Sequence, residues 1–418
     1  MQTSLPSSQD REPSRKPRPL CQSKRWISVT VLAVVISVGA TRFYDKTWGP
    51  EAIAAWKDIH PGPWGDLKER SLRLEQSPEV PFVVPIDADA PVWNFGTLTA
   101  PSVRALLLQS GCTEQQADKI VAVRIPTPDG SFAVRPDGAA VIALDPEVRS
   151  RLYAQLALNP ANRLQAAPYY IPEGNVETVI DDPALIGTGV LGAVKRLLYT
   201  RNGYTYFSDP ELVLRSLQSD EQKKSFLKAL SAQFAVQVSL HIFPNSDIDK
   251  PLYYWALGSR GGLMKDLRPL LEAQKRRPEG GGVSVIYLLP PLARDKLFST
   301  RLSTADSLSQ DALSHWSSLN FFSDSPDPRM TDSNFATKFI EDNYYEIAKP
   351  GRIGDLVLLL DPKNRVLHSS VYIADDVVFT KNNANNSQPW ILMHEKDLLG
   401  TFSATTPVRV AYFRKKDF

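Results

Sequence analysis

The chain holds five histidines, and three of them, His315, His368 and His394, fall in its last quarter among many hydroxyl side chains. A neutral imidazole beside a hydroxyl or thiol is the arrangement of nucleophilic catalysis, in which the ring takes the nucleophile's proton. His368 stands in Val366-Leu367-His368-Ser369-Ser370-Val371-Tyr372-Ile373, a run of strand composition. Alternation along such a strand puts His368, Ser370 and Tyr372 on one face. About 50 residues upstream, Ser314 to Phe322 reads as a short helix with an apolar face, and it carries Ser314, Ser317 and Ser318. The three histidines lack the local ligand spacing of a metal centre, so no metal is expected. The plain alternative is a histidine satisfied inside an unrelated meander.

The elements that must position these groups can be followed from residue 313 onward. A second helix is expected near Ser333 to Ile340. Ala348-Lys349-Pro350-Gly351-Arg352-Ile353-Gly354-Asp355 then leads into the apolar strand Leu356–Leu360. A turn at Asp361-Pro362-Lys363-Asn364 precedes the histidine strand. Asp375-Asp376 makes the next tight turn, and Val377–Thr380 is the following strand. The result is a β-meander packed beside a helix.

Gly354-Asp355-Leu356-Val357, with His368-x-Ser370-x-Tyr372 beginning fourteen residues after Gly354, resembles the NlpC-type cell-wall peptidases and related papain-like amidases. The resemblance covers roughly residues 310–414. It implies a catalytic cysteine opening a helix packed on the sheet, a histidine at the position of His368, and a polar residue on the next strand that orients the ring. That orienting residue would be Thr380 or Asn382. The cysteine is missing, because the only two in the chain are Cys21 and Cys112, so the nucleophile position falls on Ser314, with Ser317 and Ser318 as weaker registers. Trp316, Tyr372 and Asp355 are the expected substrate contacts. A serine is a poor stand-in: a histidinium partner can hold a thiol of pKa about 8.5 as thiolate, whereas an alkoxide stays out of reach. The resemblance therefore implies a degenerate domain that binds peptide or glycan of the cell wall. The alternatives are an extracytoplasmic amide hydrolase using Ser314 and His368, and an anchored structural protein with no cleft function.

Residues 1–25 are polar and basic, and an uncharged, mostly apolar run from Trp26 to Ala40 follows. That run is shorter than the about 17–25 residues of a usual span. Its length suits an export h-region, with Val38-Gly39-Ala40 as small residues for a peptidase, or a signal anchor extended to Tyr44. The positive-inside rule leaves residues 1–25 cytoplasmic and the bulk periplasmic, or secreted if the leader is cut. The expected organisation is a tail at 1–25, a membrane-targeting segment at 26–44, a Pro- and Trp-rich stalk or wrapping segment at 45–95, a central α/β domain at 96–300 and the NlpC-like domain at 301–418. The expected fold class is α+β, with a mixed α/β domain followed by a papain-like helix and antiparallel meander.

Within the middle region, Gly65–Ser77 reads as helix, Pro101–Gln109 and Thr113–Val121 as a helical hairpin, and Asp145-Pro146 as the start of another helix. Ser219–Phe234 is an amphipathic helix, Ala235–Phe243 an alternating strand, Tyr253–Leu257 and Val283–Leu289 further strands, and Lys265–Lys275 a helix between them. Gly187-Thr188-Gly189-Val190-Leu191-Gly192 matches a dinucleotide fingerprint, but it follows Asp181-Asp182-Pro183 rather than stepping directly off the weak strand Val176–Ile180. Asp209-Pro210 is better explained as a helix start, so no cofactor is expected. Cys112, before a helix, is read as a small buried hydrophobe. Over the 418 residues, a net charge of +2 with 22% charged and 43% apolar side chains excludes bulk disorder, a polytopic membrane protein and nucleic-acid binding through overall charge. Two distant cysteines exclude a disulfide framework. The expected partners are the inner membrane and peptidoglycan or an envelope protein.

Overall fold

The computed structural model describes residues 56–76, 80–88, 90–182, 186–187, 189–257, 262–300, 313–382 and 388–416. The expected tail and membrane-targeting segment lie outside them. Among the described residues no helix is long and apolar enough to cross a membrane. The architecture is α+β, with antiparallel sheets throughout.

The largest sheet is built from the C-terminal third. Strands β4 (Tyr344–Ile347), β5 (Leu356–Leu360), β6 (Val366–Ala374), β7 (Val377–Thr380), β8 (Ile391–His394) and β9 (Arg409–Lys415) lie in the order β4-β9-β5-β6-β7-β8. Helix α6 (Leu313–Leu319) packs against β6, and α7 (Ser333–Asn343) follows it. Helix α8 (Glu395–Phe402) leaves β8 directly. All five residues of β5 are buried, as a strand covered on both faces requires. Its entry turn needs Gly354 at φ +97°, where an added Cβ would meet the Phe322 ring. Asn364 and Asp375 take φ values of 60° and 54° in the two turns that connect β5, β6 and β7.

A second sheet shares the same core. Strand β1 (Asp66–Leu74) pairs along its full length with β2 (Gln233–Ile242), and β3 (Gly281–Ser284) pairs on the other side of β2. The expected helix at Gly65–Ser77 is thus a strand. Its hydrogen bonds come from a partner about 165 residues away, which no local periodicity reveals. The segment joins the core through Trp64 and Leu67. The expected strand at Tyr253–Leu257 is instead a helix, α5 (Asp249–Trp255). Its Leu252, Tyr254 and Trp255 are all buried, so an apolar run carried no distinguishing period. Val283–Leu289 begins as β3 but continues as a 3-10 turn over Val285–Leu288.

Between these elements lie two smaller cores. One gathers α1 (Ala100–Gln109), α2 (Glu114–Val121) and α3 (Pro146–Leu156), with the expected capping box joining Thr113 and Gln116. Cys112 is buried there, and burial pushes its thiol up to about 11. The other gathers Val176–Val179, which is helical rather than extended, with α4 (Asp220–Ser231), capped by Ser219. Residues 233–300 pack with the C-terminal sheet, so the expected central domain is divided between cores near residue 232.

Asp209 does not cap the helix it precedes. It is fully buried, accepts the Tyr153 hydroxyl at 2.6 Å and lies 3.8 Å from the Arg149 guanidinium. Burial raises its pKa to about 6 against the opposing pull of Tyr153 and Arg149. Arg149 also donates to the carbonyls of Val141 and Arg196 at 2.8 and 3.2 Å. Replacing it by methionine strands an acid and three carbonyls, that of Leu198 among them, in the interior. Arg149→Met should lower unfolding free energy by about 3–5 kcal/mol in urea titrations; a loss below about 1 kcal/mol would contradict this reading.

Candidate functional site

Pairing across β5, β6 and β7 assigns each side chain of the histidine strand to a face. Ser369 and Val371 stand opposite Leu358 and Phe379, and Phe379 touches Phe321 just beyond α6, with ring centroids 5.7 Å apart. This is the helix side of the sheet. His315 Nδ1 lies 2.8 Å from Ser369 Oγ, and Ser318 Oγ lies 2.8 Å from the same hydroxyl. On β8's approach, Trp390 Nε1 donates to Ser317 Oγ at 2.6 Å. The polar side chains of α6 therefore form a buried seam that fixes the helix to the sheet.

His368, Ser370 and Tyr372 stand opposite Leu359, Val357 and Val378, on the other face. The His368 ring lies against Phe402 of α8, with centroids 4.4 Å apart. Its Nε2 is 2.7 Å from Thr380 Oγ1, and Thr380 passes its only proton to Asn382 Oδ1 at 3.1 Å. His368 Nε2 must then be the donor, so the ring is the neutral Nε2–H tautomer. Burial, with a further contribution from the His315 imidazole, lowers its pKa to about 3. A base this weak takes little proton density from a nucleophile near neutrality.

The expected pairing of Ser314 with His368 is therefore corrected. Ser314 sits half-buried on the first turn of α6, on the helix side, and His368 points away from that side. The physical reason is the two-residue repeat of a strand: neighbouring residues cannot face the same helix, and Ser369 is the one held by α6. The imidazole that reaches serines is His315, which the sequence marked only as a poor metal candidate. The expected substrate contacts are corrected as well. Trp316 is buried in the core. Tyr372 packs edge-on against Trp64 with centroids 6.4 Å apart. Asp355 is 1% exposed, takes two hydrogen bonds from Arg414 at 2.8 and 2.7 Å, and accepts the Gly351 and Arg352 amides. It anchors β9 and the turn before β5. Among the described residues no group of histidine, cysteine and acidic side chains is arranged to hold a metal.

The Thr380–Asn382 chain ends at a cleft of about 220 Å³. Its walls come from distant segments: Gln76 after β1, Tyr169 and Tyr170 of the middle region, Gln233 at the start of β2, Gln388 and Met393, and Asp397 and Thr401 on α8. Asn382 is held by Thr380 on one side and by Met393 Sδ at 3.0 Å on the other. The Tyr170 hydroxyl donates to Asp397 Oδ1 at 2.9 Å. Burial raises the Asp397 pKa, while Tyr170, His394 and Lys396 draw it back. Apart from Asn382, none of these residues carried a sequence signal, since no two wall segments share a local pattern. The lining combines neutral amides, tyrosine rings, apolar side chains and one acid. The volume is below the about 300–1,000 Å³ usual for drug-sized ligands.

Behind the cleft, His394 ties the two sheets together. Its Nδ1 lies 2.9 Å from Asp376 Oδ1 and its Nε2 3.4 Å from Glu69 Oε1 on β1. Burial alone would lower its pKa, but the two carboxylates outweigh it and raise the value to about 10. Comparison with known proteins finds no matching family model, curated protein or solved structure.

Because the folded His394 pKa lies above the unfolded 6.5, its stabilisation is complete below about pH 6.5 and fades as pH climbs through about 10. His394→Gln should accordingly lower the urea midpoint clearly at pH 6, by an energy on the order of 1 kcal/mol or more, and much less at pH 10.5. An equal loss at both pH values would show that the imidazolium is not the clamp.

Proposed function

We propose that the protein is a non-catalytic binding protein of the cell envelope, tethered through residues 26–44 with its bulk outside the cytoplasm. In this reading its C-terminal helix and meander keep the outline of an NlpC-type domain while having lost its chemistry. The observation that carries the proposal is the His368 ring, neutral and weakly basic, turned from α6 toward Phe402 and Thr380. No cysteine follows Cys112, and His315, the imidazole that reaches serines, is held to Ser369 in the buried seam of α6, which supports a domain without a hydrolytic cycle. The amide- and tyrosine-lined cleft next to Asn382 is the binding surface, and peptide stems or short glycan segments of the wall are its ligands.

Incubation with cross-linked wall peptides separates this reading from its rivals. The native protein should bind the peptides, co-sedimenting with insoluble wall material, and release no fragments. Ser314→Cys should be equally silent, because the introduced thiol would face the wrong side of the sheet from His368. Cleavage by the native protein that His368→Ala abolishes would establish the hydrolase instead. Absence of both binding and cleavage would leave an anchored structural protein.

A further inference from the structure

The charge pattern of the cleft narrows what it can hold. Among the described residues that line it there is one carboxylate, Asp397, and no lysine or arginine. Lys396, its neighbour in sequence, is engaged with Glu173 at 2.6 Å, and His394 is engaged with Asp376 and Glu69; neither lines the cleft. Several of the donors nearby are engaged, although the Tyr169 hydroxyl in the same wall is buried without a hydrogen-bond partner. Tyr170 donates to Asp397, Thr401 donates to the Asp397 carbonyl at 2.9 Å, and the Gln76 amide nitrogen donates to the Val80 and Pro81 carbonyls at 3.1 and 3.4 Å. The acceptors left open include the second Asp397 oxygen and Gln76 Oε1. The Gln233 Oε1 atom, in the same wall, is buried without a hydrogen-bond partner. Tyr169 and Tyr170 belong to the same wall.

A lining with one carboxylate, an open carboxylate oxygen and no lysine or arginine is complementary to a hydrogen-bond-donating cation. We propose that the cleft recognises a primary ammonium group of its ligand, paired with Asp397 and flanked by Tyr169 and Tyr170. This inference rests on the binding role proposed above and names the chemistry that the cleft selects. Two wall components present such a group: a peptide stem with a free side-chain amine, and a glycan carrying de-N-acetylated glucosamine.

The test uses the purified full chain and two pairs of probes followed by calorimetry. One pair is a lysine-containing stem tetrapeptide and the same peptide acetylated at the lysine side-chain nitrogen. The other is a glucosamine oligomer and its N-acetylated counterpart. For at least one pair, acetylation should weaken binding to the native protein by about tenfold or more, as expected on losing a charge-assisted hydrogen bond. Asp397→Asn keeps an acceptor for Tyr170, and it should abolish the difference in affinity between the free-amine probe and its acetylated form. The pair that responds identifies the source of the amine. Equal binding of free and acetylated probes to the native protein overturns this inference alone. Binding of none of the four overturns it together with the peptide-or-glycan reading.

Discussion

A strand offers alternate residues to each side, and in β6 this repeat decides what the protein can do. Ser369 is taken by α6, through His315 and Ser318, so His368 must belong to the opposite face. The helix seam and the buried imidazole are consequences of one register. Shifting it by a single residue would turn His368 toward the helix and every apolar neighbour out of its layer. The register is held from several directions at once: by the β5 and β7 pairings, by Asp355 gripping Arg414 of β9, and by Trp390 reaching Ser317.

On the far side, the same register gives His368 a structural duty. Its Nε2–H orders Thr380, Thr380 orders Asn382, and Asn382 stands at the edge of a cleft assembled from widely separated segments. A chain of directional bonds running from a sealed ring to an open surface is a way of holding an amide still, and a preformed pocket loses less freedom on binding. The His394 ion pairs brace the neighbouring wall, since they tie β8 to β1 across the two sheets.

Much of the C-terminal meander was legible in the sequence, because its turns and strands are local. The Asp361–Asn364 and Asp375-Asp376 turns, the apolar β5 run and the face shared by His368, Ser370 and Tyr372 all follow from short-range chemistry. The hairpin around Thr113 and the helix begun by Pro146 were legible for the same reason. The face on which α6 lies was not, because side-of-sheet is a tertiary choice that no spacing between Ser314 and His368 encodes. The strand at Asp66–Leu74 was hidden by its distant partner, and Asp355 was misjudged because Arg414, which neutralises it, lies 59 residues away. The cleft was invisible for a similar reason. Asn382 was noticed as a companion of the histidine, whereas Tyr170, Gln233 and Asp397 meet it only in the folded chain.

The central claim is that the position-368 ring is a buried, neutral hydrogen-bond donor and not a base in waiting. Nitrogen NMR of the protein labelled at its five histidines reads this directly, with His368→Gln assigning the signal. The account predicts a single neutral Nε2–H tautomer whose shifts stay constant from pH 8 down to pH 5. A ring that protonates with a midpoint near 6.5, or that carries its proton on Nδ1, would contradict it.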